Sequence, residues 1–111
     1  MNENEFDPSE LLNEINDLVQ SVAADGSFLY VNRAWRETLG YYETEIEYLN
    51  IRDIIHPDSL EHCSEVFRRV MNGEILQTVE ADFVTKLGEV ITVEGSSHRS
   101  LLAGKAFATR S

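Results

Sequence analysis

The chain has 111 residues, 42% of them hydrophobic, with one cysteine and a formal charge of −11, so it suits a single domain with one core, has no internal disulfide and reads as cytoplasmic. The negative charge would repel phosphate backbones and anionic lipids, which argues against nucleic acid as a partner. No apolar run approaches the ~20 residues of a membrane span and the acidic start lacks a signal-peptide pattern, so no membrane contact is expected from this segment.

The first seventeen residues hold six acids and neither Lys nor Arg. Asp7-Pro8-Ser9-Glu10 predicts a helix start: Asp7 caps, Pro8 sits where its missing N–H costs nothing, and Glu10 reaches back as a capping-box acid. Leu11, Leu12, Ile15 and Leu18, with Val19, then share one apolar stripe. That stripe either docks on its own domain or pairs with a second copy. Residues 1–17 are thus read as an N-terminal amphipathic helical cap, and residues 18–111 as the domain.

Two short strands flank Asp25-Gly26, a dipeptide suited to a two-residue hairpin turn. The second alternates Phe28 and Tyr30 against Leu29 and Val31, and Asn32 ends it as the cap of a helix over Arg33–Leu39, with Gly40 as its stop. Residues 41–55 read as broken helical turns. Asp58 and Glu61 have capping-box spacing and predict a longer helix in which Leu60, Cys63, Val66, Phe67, Val70 and Met71 form one stripe before Gly73. Three strands follow: one around Val79–Thr85, one around Ile91–Gly95 after a turn at Leu87-Gly88, and one over Lys105–Ser111 after a turn near Gly104. Neither set of strands is large enough alone, so both ends are expected to join in one antiparallel sheet with the helices on one face, an α+β architecture.

Tyr30-Val31-Asn32-Arg33-Ala34-Trp35, Leu39-Gly40-Tyr41, Glu45-Ile46 and Asp53-Ile54-Ile55-His56-Pro57-Asp58 resemble, in order and spacing, the PAS domain pattern. Lys86-Leu87-Gly88-Glu89 is similar to that family's Lys-Asp-Gly-Glu hairpin. The chain departs from the pattern at Tyr42, Tyr48 and Leu87, which stand where a small cap, a Gly and an Asp are usual. The resemblance spans about residues 16–111 and implies a five-stranded antiparallel sheet with helices packed on one face. It also implies a sensory or dimerisation role, with an output domain in the same polypeptide, a histidine kinase or a cyclic-dinucleotide enzyme, beyond this segment.

The residues constrain the chemistry. A flavin-adduct photosensor of the family's type needs a cysteine where Ile51 stands, so a covalent flavin adduct is excluded. A haem sensor takes its axial His from the long helix, but His62 points away from the Leu60–Met71 stripe. His56 reads as a structural corner, and His98 has no second ligand at metal spacing, so no metal site is expected. Cys63 on an apolar stripe reads as inert core. Ser97 and His98 are strand neighbours that point to opposite faces and do not converge for nucleophilic catalysis. The chain therefore reads as no enzyme.

What is left is an apolar cavity whose walls are expected to be Phe28, Tyr30, Trp35, Leu39, Ile54, Val66, Phe67, Val70, Phe83, Ile91 and Val93, residues that also serve as ordinary core. The reading is a sensory module that binds a small ligand and forms a homodimer through Leu11, Leu12, Ile15 and Leu18. The alternatives are a small α+β enzyme acting on a hydrophobic substrate, which needs Asp82, Glu94 or His98 inside the cavity, and a ligand-free adaptor.

Overall fold

The computed structural model of the chain describes residues 16–98 and 101–108. Leu11, Leu12 and Ile15 of the expected dimer helix lie outside the described residues. Leu18 does not belong to a helix: it opens the first strand and is only 2% exposed in the core. Leu18 packs into the core, and Gln20 and Val22 share its face of the strand, so strand geometry overrides the helical spacing that linked Leu18 to the preceding leucines.

Five strands form one sheet: β1 (Leu18–Val22), β2 (Phe28–Val31), β3 (Ile75–Val84), β4 (Val90–His98) and β5 (Leu101–Ala108). Their order across the sheet is β2-β1-β5-β4-β3, and every pairing is antiparallel. Strands from the two ends of the chain thus share one surface, joined by the β1–β5 ladder. Helices α1 (Arg33–Leu39), α2 (Ile51–Ile54) and α3 (Leu60–Met71), with 3-10 turns at Glu43–Tyr48 and Pro57–Ser59, connect β2 to β3. The core holds Leu18, Val31, Trp35, Leu39, Ile54, Ile55, Ala81, Phe83 and Val93.

Local chemistry sets the boundaries. Gly26 makes the β1–β2 turn at φ +92°, and a side chain there would also collide with Asn50. Asn32 caps α1 by accepting from the Trp35 N–H at 3.0 Å, and Gly40 ends it in the left-handed region.

Three expectations differ from the fold. The β1–β2 register shifts between Ser21 and Val22, so Phe28 faces Val22 and Tyr30 faces Ser21. This irregularity separates Phe28 and Tyr30: Phe28 and Val31 pack inward and Tyr30 joins the opposite face. The long helix begins at Leu60 rather than Asp58, because Pro57–Ser59 forms a 3-10 turn whose cap is His56, with Nδ1 accepting from the Asp58 N–H at 3.1 Å. Gly104 does not mark a turn. It sits inside β5 opposite Gly95, where a Cβ on either glycine would run into the backbone of the other strand.

Candidate functional site

Helix α3 stands off the sheet. Its inward stripe is closed only at Val70, which is buried; Leu60, Cys63, Val66 and Phe67 are half-buried, and Met71, expected on the same stripe, is 41% exposed as the last residue of the helix. Beneath the stripe lies a cavity of about 280 Å³. From α3 it is lined by Leu60, Cys63, Ser64, Val66, Phe67 and Val70, and from the sheet by Gln20, Val22, Val79, Ala81, Phe83, Val93, Ser97 and Leu102. Exposed Ala24, Asp25 and Arg52 mark its mouth, and Gly26, Ile51 and Ile55 complete the lining beside them.

The mouth is held together by Asn50. Its Nδ2 donates to the Asp25 carbonyl at 3.0 Å, its Oδ1 accepts from the Arg52 N–H at 3.1 Å, and its own N–H donates to Asp53 Oδ2 at 2.9 Å. The Ile51 N–H donates to the Gly26 carbonyl at 2.8 Å. One side chain therefore ties the β1–β2 turn to the start of α2. Asp25 folds the turn itself, accepting from both the N–H and the hydroxyl of Ser27, and these bonds hold its carboxyl below the usual carboxylate range.

Of the eleven expected wall residues, Val66, Phe67, Val70, Phe83 and Val93 line the cavity. Trp35, Leu39 and Ile54 do not: each has no exposed surface and fills the core where α1 and α2 meet the sheet. Phe28 packs edge-on to Trp35 at 5.1 Å between ring centres, and Ile91 packs against the same core. Tyr30 is on the far face, for the reason given above. The end of the sheet under α1 is filled by Trp35, Leu39 and Ile54, whereas the space opens under α3, where Leu60, Val79 and Ala81, absent from the expected wall, also line it.

The wall also contains two buried polar residues, Gln20 and Ser97, 6% and 8% exposed respectively; the sequence reading weighed Ser97 only as a nucleophile and did not single out Gln20. The signal was present in the alternation, since Leu18-Gln20-Val22 places Gln20 on the inward side of β1. Gln20 Oε1 accepts from Trp35 Nε1 at 2.9 Å, both groups being buried. Cys63 also faces the cavity, and burial pushes its thiol up to about 11, with the charge of Asp82 adding to the effect.

Asp82 and Glu94, two of the three groups named for the enzyme alternative, are not among the cavity's lining residues. Asp82 accepts from the Thr92 hydroxyl at 2.7 Å on the other face of the sheet, and Glu94 is exposed. For His98 the structure gives its strand position, opposite Ile75 and Leu101. His62 is exposed on α3, and Ile51 stands at the cavity mouth. Among the described residues, no three of His, Cys, Asp and Glu gather as a metal site, and no helix is long and apolar enough to cross a membrane.

The family model described as PAS fold matches residues 28–99. Comparison with curated proteins returned no match. Among solved structures, the chain is similar to a domain of the sensory box sensor histidine kinase/response regulator from Geobacter sulfurreducens, at 26% identity over 88% of each chain and a TM-score of 0.71. It shares its fold with the PAS domain of a protein from Colwellia psychrerythraea, at 18% identity over 93% of this chain and 96% of that one, TM-score 0.74. The same holds for the PAS domain of an HTR-like protein from Haloarcula marismortui, at 18% identity over 90% and 88%, TM-score 0.72. Sheet order, the helical layer on one face and the family match agree: the chain belongs to the PAS fold family.

Proposed function

We propose that this domain senses a small molecule held in the cavity under α3 and relays its presence to an output domain in the same polypeptide, in the cytoplasm. The observation that carries this reading is the gap of about 280 Å³ between α3 and the sheet, with mostly apolar side chains on both sides of it. A ligand that binds better when α3 is in one position than in another shifts that helix's equilibrium, and a connected domain can read the shift. The likeness to a sensory box histidine kinase domain supports a histidine kinase as the output. The homodimer belongs to the same proposal, through the apolar positions Leu11, Leu12 and Ile15 rather than the buried Leu18.

Native mass spectrometry and sedimentation of freshly purified protein test both parts. An added mass that leaves on denaturation, together with a dimer that dissociates when residues 1–15 are deleted, is the expected result. A protein that carries no added mass and takes up no small apolar probe is a ligand-free adaptor. One that sediments as a monomer at high concentration has no dimer to regulate.

A further inference from the structure

The cavity wall fixes what kind of molecule it suits, an inference that rests on the ligand-binding reading above. Trp35 Nε1–H is a donor only, so the Gln20 atom 2.9 Å from it must be the amide oxygen. That bond fixes the orientation of the amide and leaves the Nε2 hydrogens without a partner among the described residues. The Ser97 hydroxyl likewise has no partner there. Among the described residues, no side-chain nitrogen or oxygen is both sealed from space and unbonded. Both residues are more than nine-tenths buried and line the cavity, so the space these two groups open into is the cavity itself.

The two groups are in register. Gln20 pairs with Leu102, and Leu102 pairs with Ser97. Three adjacent strands at about 4.8 Å spacing put the Gln20 and Ser97 backbones about 10 Å apart on the floor of the cavity, with the apolar Leu102 between them. The amide offers hydrogen-bond donors and the hydroxyl can offer another. Among the described residues no buried cation accompanies them: the charged wall residues, Asp25 and Arg52, are exposed at the mouth. A carboxylate carried inside would lose its hydration without a counter-ion. The raised thiol of Cys63 in the same wall reports the same penalty on negative charge.

We propose that the occupant is a small neutral molecule, apolar over most of its surface, whose carbonyl-type oxygen accepts hydrogen bonds from Gln20 Nε2 and Ser97 Oγ. At about 280 Å³ the space equals the liquid volume of about nine waters, which suits a molecule of one or two rings rather than a large cofactor.

The test titrates the full chain with acetophenone, ethylbenzene and benzoate, following amide NMR shifts that include the Gln20 side-chain NH₂. Acetophenone should shift the Gln20 side-chain signals, and ethylbenzene should bind without doing so. Gln20→Met and Ser97→Ala should each weaken acetophenone about three- to tenfold and leave ethylbenzene unchanged or tighter. Gln20→Met also removes the acceptor of the Trp35 bond, so Ser97→Ala carries the test if that variant does not fold. If both probes bind but respond alike to the substitutions, recognition of the oxygen is wrong and the cavity still binds ligands. Benzoate binding tighter than acetophenone overturns the neutral class. If the unaltered protein takes up none of the three, the ligand-binding reading fails and this inference falls with it.

Discussion

Gln20 and Trp35 hold each other in place across the floor of the domain, and the bond between them separates filled core from open cavity. On the Trp35 side the rings of Phe28 and Tyr41 close around the indole, at 5.1 and 6.2 Å. On the Gln20 side the wall passes to Val22, Ser97 and Leu102. Cys63 reports on that space. Burial raises its thiol from 9.0 to about 11, so at pH 8 the thiolate fraction is about a hundredfold below that of an ordinary cysteine. Labelling by a disulfide reagent at pH 8 should therefore be about a hundredfold slower in the folded protein than in denaturant, before any further slowing by restricted access. The sign for stability follows from the same shift. The folded value lies above the unfolded one, so the contribution is complete below about pH 9 and is lost as pH rises towards 11. Denaturation midpoints measured from pH 8 to 11 should fall over that window, and Cys63→Ser should reduce the slope, most clearly between pH 8 and 10, before Tyr41 and Lys86 titrate. A thiol that reacts in the native protein as fast as in the unfolded one would show that the α3 side of the cavity is open to water.

Asn32 acts between elements. It has no exposed surface, and its side chain accepts from the N–H groups of Val19 and Trp35, each at 3.0 Å, and donates to the Asp17 carbonyl at 2.9 Å. It therefore fastens the start of β1, the end of β2 and the first turn of α1 at one point. Asn32→Ala removes the helix cap and leaves the buried Val19 N–H without its side-chain acceptor, so a loss of roughly 2–4 kcal/mol in chemical denaturation is expected. A loss under about 0.5 kcal/mol would mean that the helix is held by packing alone. This junction was legible in the sequence, because an Asn between a strand pattern and a helical stripe has few other uses. The start of α3 and the facing of Tyr30 were not. Asp58 has the residue type and spacing of a cap, but His56 caps an intervening 3-10 turn first, and a register shift in β1–β2 leaves no mark on the period-2 pattern. The cavity was half legible for a related reason. Alternation identifies which side chains face inward, but it does not say where a helix stops short of the sheet, and that distance separates Val66 and Phe67 from Leu39 and Ile54.

At the scale of the whole molecule, the need for strands from both ends to share one sheet was readable from the count of strands, but their order was not. The last strand lies between the first and the fourth, so within the sheet it is β5 that connects the β1–β2 hairpin to the β3–β4 hairpin. The ladder is tight where Gly95 faces Gly104, and both positions depend on the absence of a side chain, so β4 and β5 approach closely beside the cavity floor. Leu102 and Ala106 add apolar contact from the same strand. Ending the chain at residue 100 would expose the inner edges of β1 and β4 and leave two isolated hairpins, each marginal in water. The core assembled on both halves, from Leu18 and Val31 on one side to Phe83 and Val93 on the other, would lose its common floor. The truncated protein should therefore show no cooperative thermal transition by circular dichroism and a collapsed amide spectrum by NMR, while the full chain shows both features of a folded domain. A truncated form that still melts cooperatively would mean that the helical layer, and not β5, joins the two halves.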